Sequence, residues 1–166
     1  VESVLVSARN AEWLIAPRAD GFDFEHDKAI HQFLFSDLYD WAGQVRTVNI
    51  SKKGTILPAV EIEEQAALVF QRLKGRNYFK GLPHDEFVDE IVDFYCTTNT
   101  LHPFCEGNGR TQRAFLTQLV RHAGYDINWA EVDADLLMIA TIQAAQGVTD
   151  FLNAGVNEIA KCYFST

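Results

Sequence analysis

Cysteine is scarce in this chain. Cys96, Cys105 and Cys162 are an odd, scattered set without CxxC spacing or the density of a disulfide framework. They are expected to be reduced thiols of a cytoplasmic protein. The five histidines form no HExxH or paired-ligand pattern, so no protein-built zinc site is expected. Long apolar runs are missing too. No stretch reaches the ~18 residues that span a membrane, and the opening VESVLVSARNAEWLIAP lacks the cationic region and apolar run of a secretory leader. The chain starts at Val1 and not at Met, so further residues are expected upstream. Cations are few, 14 Lys and Arg against 23 Asp and Glu, for a net charge of −9. An acidic surface repels phosphate backbones and anionic lipid, which argues against nucleic acid and membrane as partners. Any phosphate chemistry must then come from a local cluster of arginines.

What is abundant is bulk for a core. Hydrophobic residues make up 48% of 166 positions and include 12 Phe, enough for one domain over residues 1–166 with one core. The dominant period is helical. Ile30, Phe33, Leu34, Leu38 and Trp41 predict a helix from Asp27 to Trp41, with Ala42-Gly43 as a stop. Ile62, Ala66, Val69 and Leu73 predict a second from Glu61, closed by a left-handed Gly75. A third, deeply buried, follows Pro83 and ends near Leu101, because Pro103 disfavours helical geometry at His102. A fourth is expected from about Gly109 to Ala123, stopped by Gly124, and two more around Val132–Ala145 and Asp150–Tyr163. Val45–Ile50 and Thr55–Leu57, on either side of Ser51-Lys52-Lys53-Gly54, read as a β-hairpin. The expected class is all-α with a small β-hairpin flap over about 45–57. Trp13, Trp41 and Trp129 are expected at the core or its boundary, and His26, His31, His84 and His122 in packing or surface positions.

One segment carries chemistry. Residues 102–113 read His-Pro-Phe-Cys-Glu-Gly-Asn-Gly-Arg-Thr-Gln-Arg, between the third helix and the fourth. A helix N-terminus with open N–H groups favours an anion. Gly107 and Gly109 keep side chains away from that backbone and permit the positive φ of an anion-binding nest. Arg110 and Arg113, three residues apart, share a face of the first turn, where they work against the helix dipole unless an anion is present. Glu106 beside a phosphate site needs a cation between them, and Mg²⁺ takes one or two protein carboxylates together with phosphate oxygens and water. His102 can accept a proton near neutral pH. Phe104 is expected to point inward as an anchor. Together these residues point to transfer of a phosphate-containing group to a hydroxyl.

The segment matches every defined position of H-x-F-x-[D/E]-G-N-G-R-x-x-R, and the chain is similar to the Fic family. Ile30–Arg46, SKKGT (Ser51–Thr55) and His122-Ala123-Gly124-Tyr125 also resemble family segments, so the likeness runs from about residue 24 to the end. The resemblance implies a Fic-type helical bundle that moves AMP from ATP-Mg²⁺ to a Tyr, Thr or Ser hydroxyl of another protein. It implies His102 as the catalytic base, Glu106 as the Mg²⁺ carboxylate, and Gly107, Asn108, Gly109 and Arg110 as a phosphate cradle. Arg113 would meet the γ-phosphate, and Lys52, Lys53, Gly54 and Thr55 would register the target by main-chain pairing. Lys52 and Lys53 have an equal reading as charges that protect a strand edge. The family's inhibitory [S/T]-x-x-x-E-[G/N] pattern is absent from the chain. The resemblance therefore implies a bacterial toxin whose inhibitory helix lies on a separate small antitoxin, the preferred reading, or on a segment outside this sequence, with a type II topoisomerase subunit as a candidate target. The cytoplasm is the expected compartment, or a host cell if the chain belongs to a secreted effector. A related transferase with another nucleotide or phosphocholine, a Doc-like kinase, a silent binding module and a purely structural helical domain stay open as alternatives.

Overall fold

A computed structural model describes residues 1–15, 21–52, 54–129 and 164–165. The two helices expected around Val132–Ala145 and Asp150–Tyr163 fall outside them, as do Lys53 and Cys162. The described residues form an all-α body of five helices with two small antiparallel strand pairs. The helices are α1 (Glu2–Ile15), α2 (Phe24–Phe35), α3 (Ile62–Gly75), α4 (His84–Leu101) and α5 (Asn108–His122). None is long and apolar enough to cross a membrane.

α4 and α5 form the centre. Phe87, Val88 and Ile91 of α4 and Phe115, Leu116, Leu119 and Val120 of α5 are at most 2% exposed. α2 packs across α5 and brings Ile30, Leu34 and Phe35 into the same core. Burial of each such aliphatic or phenyl group contributes about 1.5–3 kcal/mol. The ends of α5 are set by its sequence: Gly107 precedes it in the left-handed region, and Gly124 follows at φ 92°.

Four boundaries differ from the expectations. α2 starts earlier, because Asp23 caps it by accepting a hydrogen bond from the His26 N–H at 2.8 Å. It ends at Phe35, and residues 36–43 turn back so that Tyr39 and Trp41 stack 4.4 Å apart, with Trp41 against His31. α3 runs through Gly75 without a left-handed stop; the left-handed residues are Asn77, Tyr78 and Phe79, where a short 3₁₀ turn drives Phe79 into the core. The hairpin is shorter than 45–57. Its strands are β1 (Ile50–Lys52) and β2 (Thr55–Leu57), paired Ile50 to Leu57, Ser51 to Ile56 and Lys52 to Thr55. Residues 45–49 stay out of the ladder because the Arg46 N–H donates to the Pro103 carbonyl at 2.8 Å.

α1 was not anticipated. It buries Val6 and Trp13 and packs on α2 and α5. Beyond α5, β3 (Asp126–Ile127) pairs with β4 (Phe164–Ser165), bringing the end of the chain back to the end of the motif helix.

Candidate active site

His102 ends α4 and Asn108 begins α5, so the residues between them form one tight turn over the core. Phe104 is 1% exposed and stacks on the His31 ring at 4.0 Å, an inward anchor as expected. Asn108 braces the turn: its Oδ1 accepts from the Phe104 N–H at 2.9 Å and its Nδ2 donates to the Phe104 carbonyl at 2.6 Å. With its side chain so engaged, Asn108 can offer an anion its main-chain N–H. Gly107 has φ 81°, and a Cβ there would lie 2.4 Å from the Phe35 ring. Conformation and space both require glycine. Gly109 is different. It is inside α5 with no positive φ, and what its small size permits is the approach of Arg113, whose Nη1 would lie 3.3 Å from a Cβ at 109.

The first turn of α5 leaves the N–H groups of Asn108, Gly109 and Arg110 without intrahelical acceptors. Together with the helix dipole they are a set of donors able to hold an anion. Arg110 and Arg113 line one groove of about 420 Å³ with Arg121, Thr117, Trp129 and residues of α1. The shared face is therefore present. Arg110 also donates to Glu2 Oε1 at 2.8 Å and lies 4.8 Å over the Phe35 ring. That contact holds the Glu2 carboxyl below its usual range, through the hydrogen bond from Arg110 and then one from the Tyr39 hydroxyl. Arg113 has no ion-pair partner among the described residues.

Glu106 is largely exposed, its Oε1 accepting from the Gly107 N–H at 3.1 Å and lying 3.7 Å from Arg110 Nη2. Among the described residues no group of three or more His, Cys, Asp or Glu could hold a metal. One open carboxylate beside an anion site fits Mg²⁺ held chiefly by phosphate oxygens and water, and does not fit a closed protein cage.

His102 is half-buried at φ 44°, a left-handed residue closing α4. With Asn108 it lines a small cavity on the core side of the turn, shared with Asp27, Thr98, Asn99, Thr111 and Gln112. Burial pushes the Asp27 carboxyl up to about 7. His102 is not among the residues lining the arginine groove. The structure thus joins Arg110 to Arg113 in one groove, and His102 to Asn108 in a separate small cavity. The hairpin lies beside this turn, and of its expected docking residues the backbones of Lys52, Gly54 and Thr55 occupy its tip.

Two residues of the site went unrecognised in the sequence. His31, fully buried on α2, receives the Gly43 N–H at Nδ1 and donates from Nε2 to the Glu106 carbonyl, each at 2.8 Å. That pair of bonds selects the neutral ring protonated at Nε2. Burial, foremost, holds the pKa below the usual histidine value. Arg46 is 4% exposed and binds the same turn from the hairpin side. Neither has a local signal, although both fall inside the segment 30–46 that carries the family likeness.

Known proteins share this arrangement. A model of the Fic/DOC family matches residues 21–120, more than half of the chain, and the chain belongs to that family. Protein adenylyltransferase VbhT of Bartonella schoenbuchensis is 37% identical over 93% of this chain and 32% of its own length. A probable protein adenylyltransferase Fic of Salmonella typhimurium is 38% identical over 78% of this chain and 65% of its own. The chain therefore spans about a third of the first relative and just under two thirds of the second. A solved Fic domain from a VirB-translocated Bep effector of Bartonella quintana, with bound ADP, superposes with a TM-score of 0.88. It is 24% identical, and the match covers 98% of this chain and 82% of that one. The likeness establishes the fold.

Proposed function

We propose that this chain is a protein adenylyltransferase, moving AMP from ATP to a Tyr, Thr or Ser hydroxyl of another protein. The observation that carries this reading is the single turn that joins His102 to the open N-terminus of α5. It sets a base at one end and three unsatisfied N–H groups at the other. Curated relatives at 37% and 38% identity are named protein adenylyltransferases, which supports the same assignment.

In this reading His102 takes the proton of the target hydroxyl, and the oxygen attacks the α-phosphorus. The bond from the α-phosphorus to the bridging oxygen breaks, and pyrophosphate leaves with its electron pair. The N–H groups of Asn108, Gly109 and Arg110, with the Arg110 side chain, hold the charge that builds on the phosphoryl oxygens. Arg113 meets the far end of the triphosphate. Glu106 would hold Mg²⁺, whose contribution when bound is to neutralise phosphate charge. Little covalent chemistry is asked of the protein, so positioning and electrostatics supply most of the rate. The hairpin, residues 50–57, presents the target strand by main-chain pairing.

Restraint by a separate antitoxin is part of the proposal: residues 1–166 carry no [S/T]-x-x-x-E-[G/N] segment, so an inhibitory helix of that type would come from outside them. A type II topoisomerase subunit is the candidate acceptor. The proposed compartment is the cytoplasm, or a host cell where the chain is part of a delivered effector. The test incubates the purified chain with Mg²⁺, α-³²P-ATP and bacterial lysate, beside a γ-³²P-ATP control and a His102→Ala variant. Protein label from α-³²P alone, lost in the variant, is expected. Label from γ-³²P would make the chain a kinase, and no label from either would sink the assignment.

A further inference from the structure

Arg46 is an arginine buried without a carboxylate partner among the described residues. Its guanidinium has five N–H donors, and each finds a main-chain carbonyl. Nε donates to His102 at 2.6 Å; Nη1 donates to Val48 at 2.7 Å and Leu57 at 3.0 Å; Nη2 donates to Pro58 at 3.3 Å and Leu101 at 3.4 Å. The Arg46 main-chain N–H adds a sixth bond, to the Pro103 carbonyl at 2.8 Å. Three of these acceptors are consecutive, Leu101, His102 and Pro103, and close α4. The other three, Val48, Leu57 and Pro58, form the base of the hairpin.

Two physical consequences follow. The carbonyls of Leu101 and His102 lie at the negative end of α4, so the helix dipole meets the buried charge that no carboxylate meets. His102 also holds a left-handed conformation at φ 44°, which a side chain adopts only where its surroundings over-determine it. Its N–H is tied to the Thr98 carbonyl at 3.2 Å within α4, while its own carbonyl is aimed by Arg46 Nε. The bond to Arg46 is therefore part of what sets the direction in which His102 leaves the helix.

We propose that Arg46 is a positioning residue that holds His102 and the base of the hairpin in one frame, so that a strand paired with the hairpin arrives at a set distance from the imidazole. The positional role rests on the adenylyltransferase reading; the mechanical joint does not. Lysine cannot replace the arginine fully, since three donors cannot serve five carbonyls.

Hydrogen exchange and kinetics test the two parts separately. In the wild-type chain, amides of 50–57 and 101–104 are expected to lose protection together along a shallow denaturant series. Independent opening of the two segments would overturn the joint without any variant. Arg46→Lys and Arg46→Gln are expected to speed exchange in both segments by tenfold or more, with glutamine worse than lysine. Asn49→Ala, which removes only the Oδ1 acceptor of the Ala59 N–H, is expected to loosen the hairpin and leave 101–104 protected. With α-³²P-ATP and graded lysate protein, Arg46→Lys is expected to lower label transfer by tenfold or more, while ATP-Mg²⁺ affinity by calorimetry stays within twofold. Unchanged transfer with raised exchange would overturn the positioning role. A wild-type chain that transfers no label would defeat the adenylyltransferase reading, while the exchange data still decide whether Arg46 joins the two segments.

Discussion

The motif turn and the hairpin sit side by side and are built on opposite plans. In the turn, almost every group has a fixed neighbour. Phe104 is packed on His31, Gly107 on Phe35, the Asn108 side chain spans Phe104, and the Glu106 carbonyl is held by His31. The hairpin is two strands of three residues, and Val48 and Ile56 are 57% and 68% exposed beside it. A pair of strands this short has little stability of its own. The contrast teaches a division of labour: the main chain that carries the groups proposed to do chemistry is over-determined, whereas the surface proposed to meet a variable partner is tied down only at its base.

The largest effect should come from the turn. His102→Ala is expected to lower AMP transfer by roughly 10²–10⁴-fold while leaving ATP affinity nearly intact, checked by label transfer and calorimetry. Gly107→Ala strikes the scaffold itself. A side chain at φ 81° that also overlaps Phe35 is expected to cost about 1–3 kcal/mol of stability, measured by denaturant unfolding. If both substitutions act mildly, the turn is not the rigid half of the comparison.

Proton-linked effects sharpen the contrast. The folded chain holds His31 below its unfolded pKa of 6.5, chiefly by burial. Its contribution is therefore complete above pH 6.5 and is lost as pH falls below that value. Protection of the turn amides, corrected for intrinsic exchange, is expected to fall as pH drops below 6.5, and His31→Gln should remove that dependence. Asp27 works in the other direction. Its folded pKa near 7 lies above the unfolded 3.8, so the fold keeps a proton that the unfolded chain releases, and stability falls as pH rises from 4 to 7. Asp27→Asn is expected to raise Tm at pH 8, with the gain vanishing near pH 4. The smallest effect is expected at the surface: Arg9→Ala removes the solvent-screened Arg9–Asp37 pair and should leave Tm nearly unchanged.

Much of this was legible because its cause is local. Pro103 and Gly124 mark helix ends by backbone chemistry alone, and the spacing of Arg110 and Arg113 gives them one face in any helix. The left-handed Gly107 was legible for the same reason. α1 was missed because its buried residues, Val6 and Trp13, are seven apart with polar Asn10 between them, and its stripe is completed only by α2 and α5. The early stop of α2 depends on Trp41 folding back against His31, a tertiary contact. His31 and Arg46 were invisible as site residues because what they bind is main chain. A carbonyl has no letter in the sequence, so a side chain that reads carbonyls leaves no pattern to match.

The neutral partners of Arg46 have a consequence for ionic strength. Salt screens exposed charges over about 10 Å at 0.1 M and does little to a buried cation bonded to uncharged oxygens. The Glu2–Arg110 contact, by contrast, is an ion pair between partly exposed groups. Rising salt should therefore loosen the hold of α1 on the motif helix while the hairpin keeps its grip on His102. The two attachments of the same turn can be separated by adding potassium chloride alone.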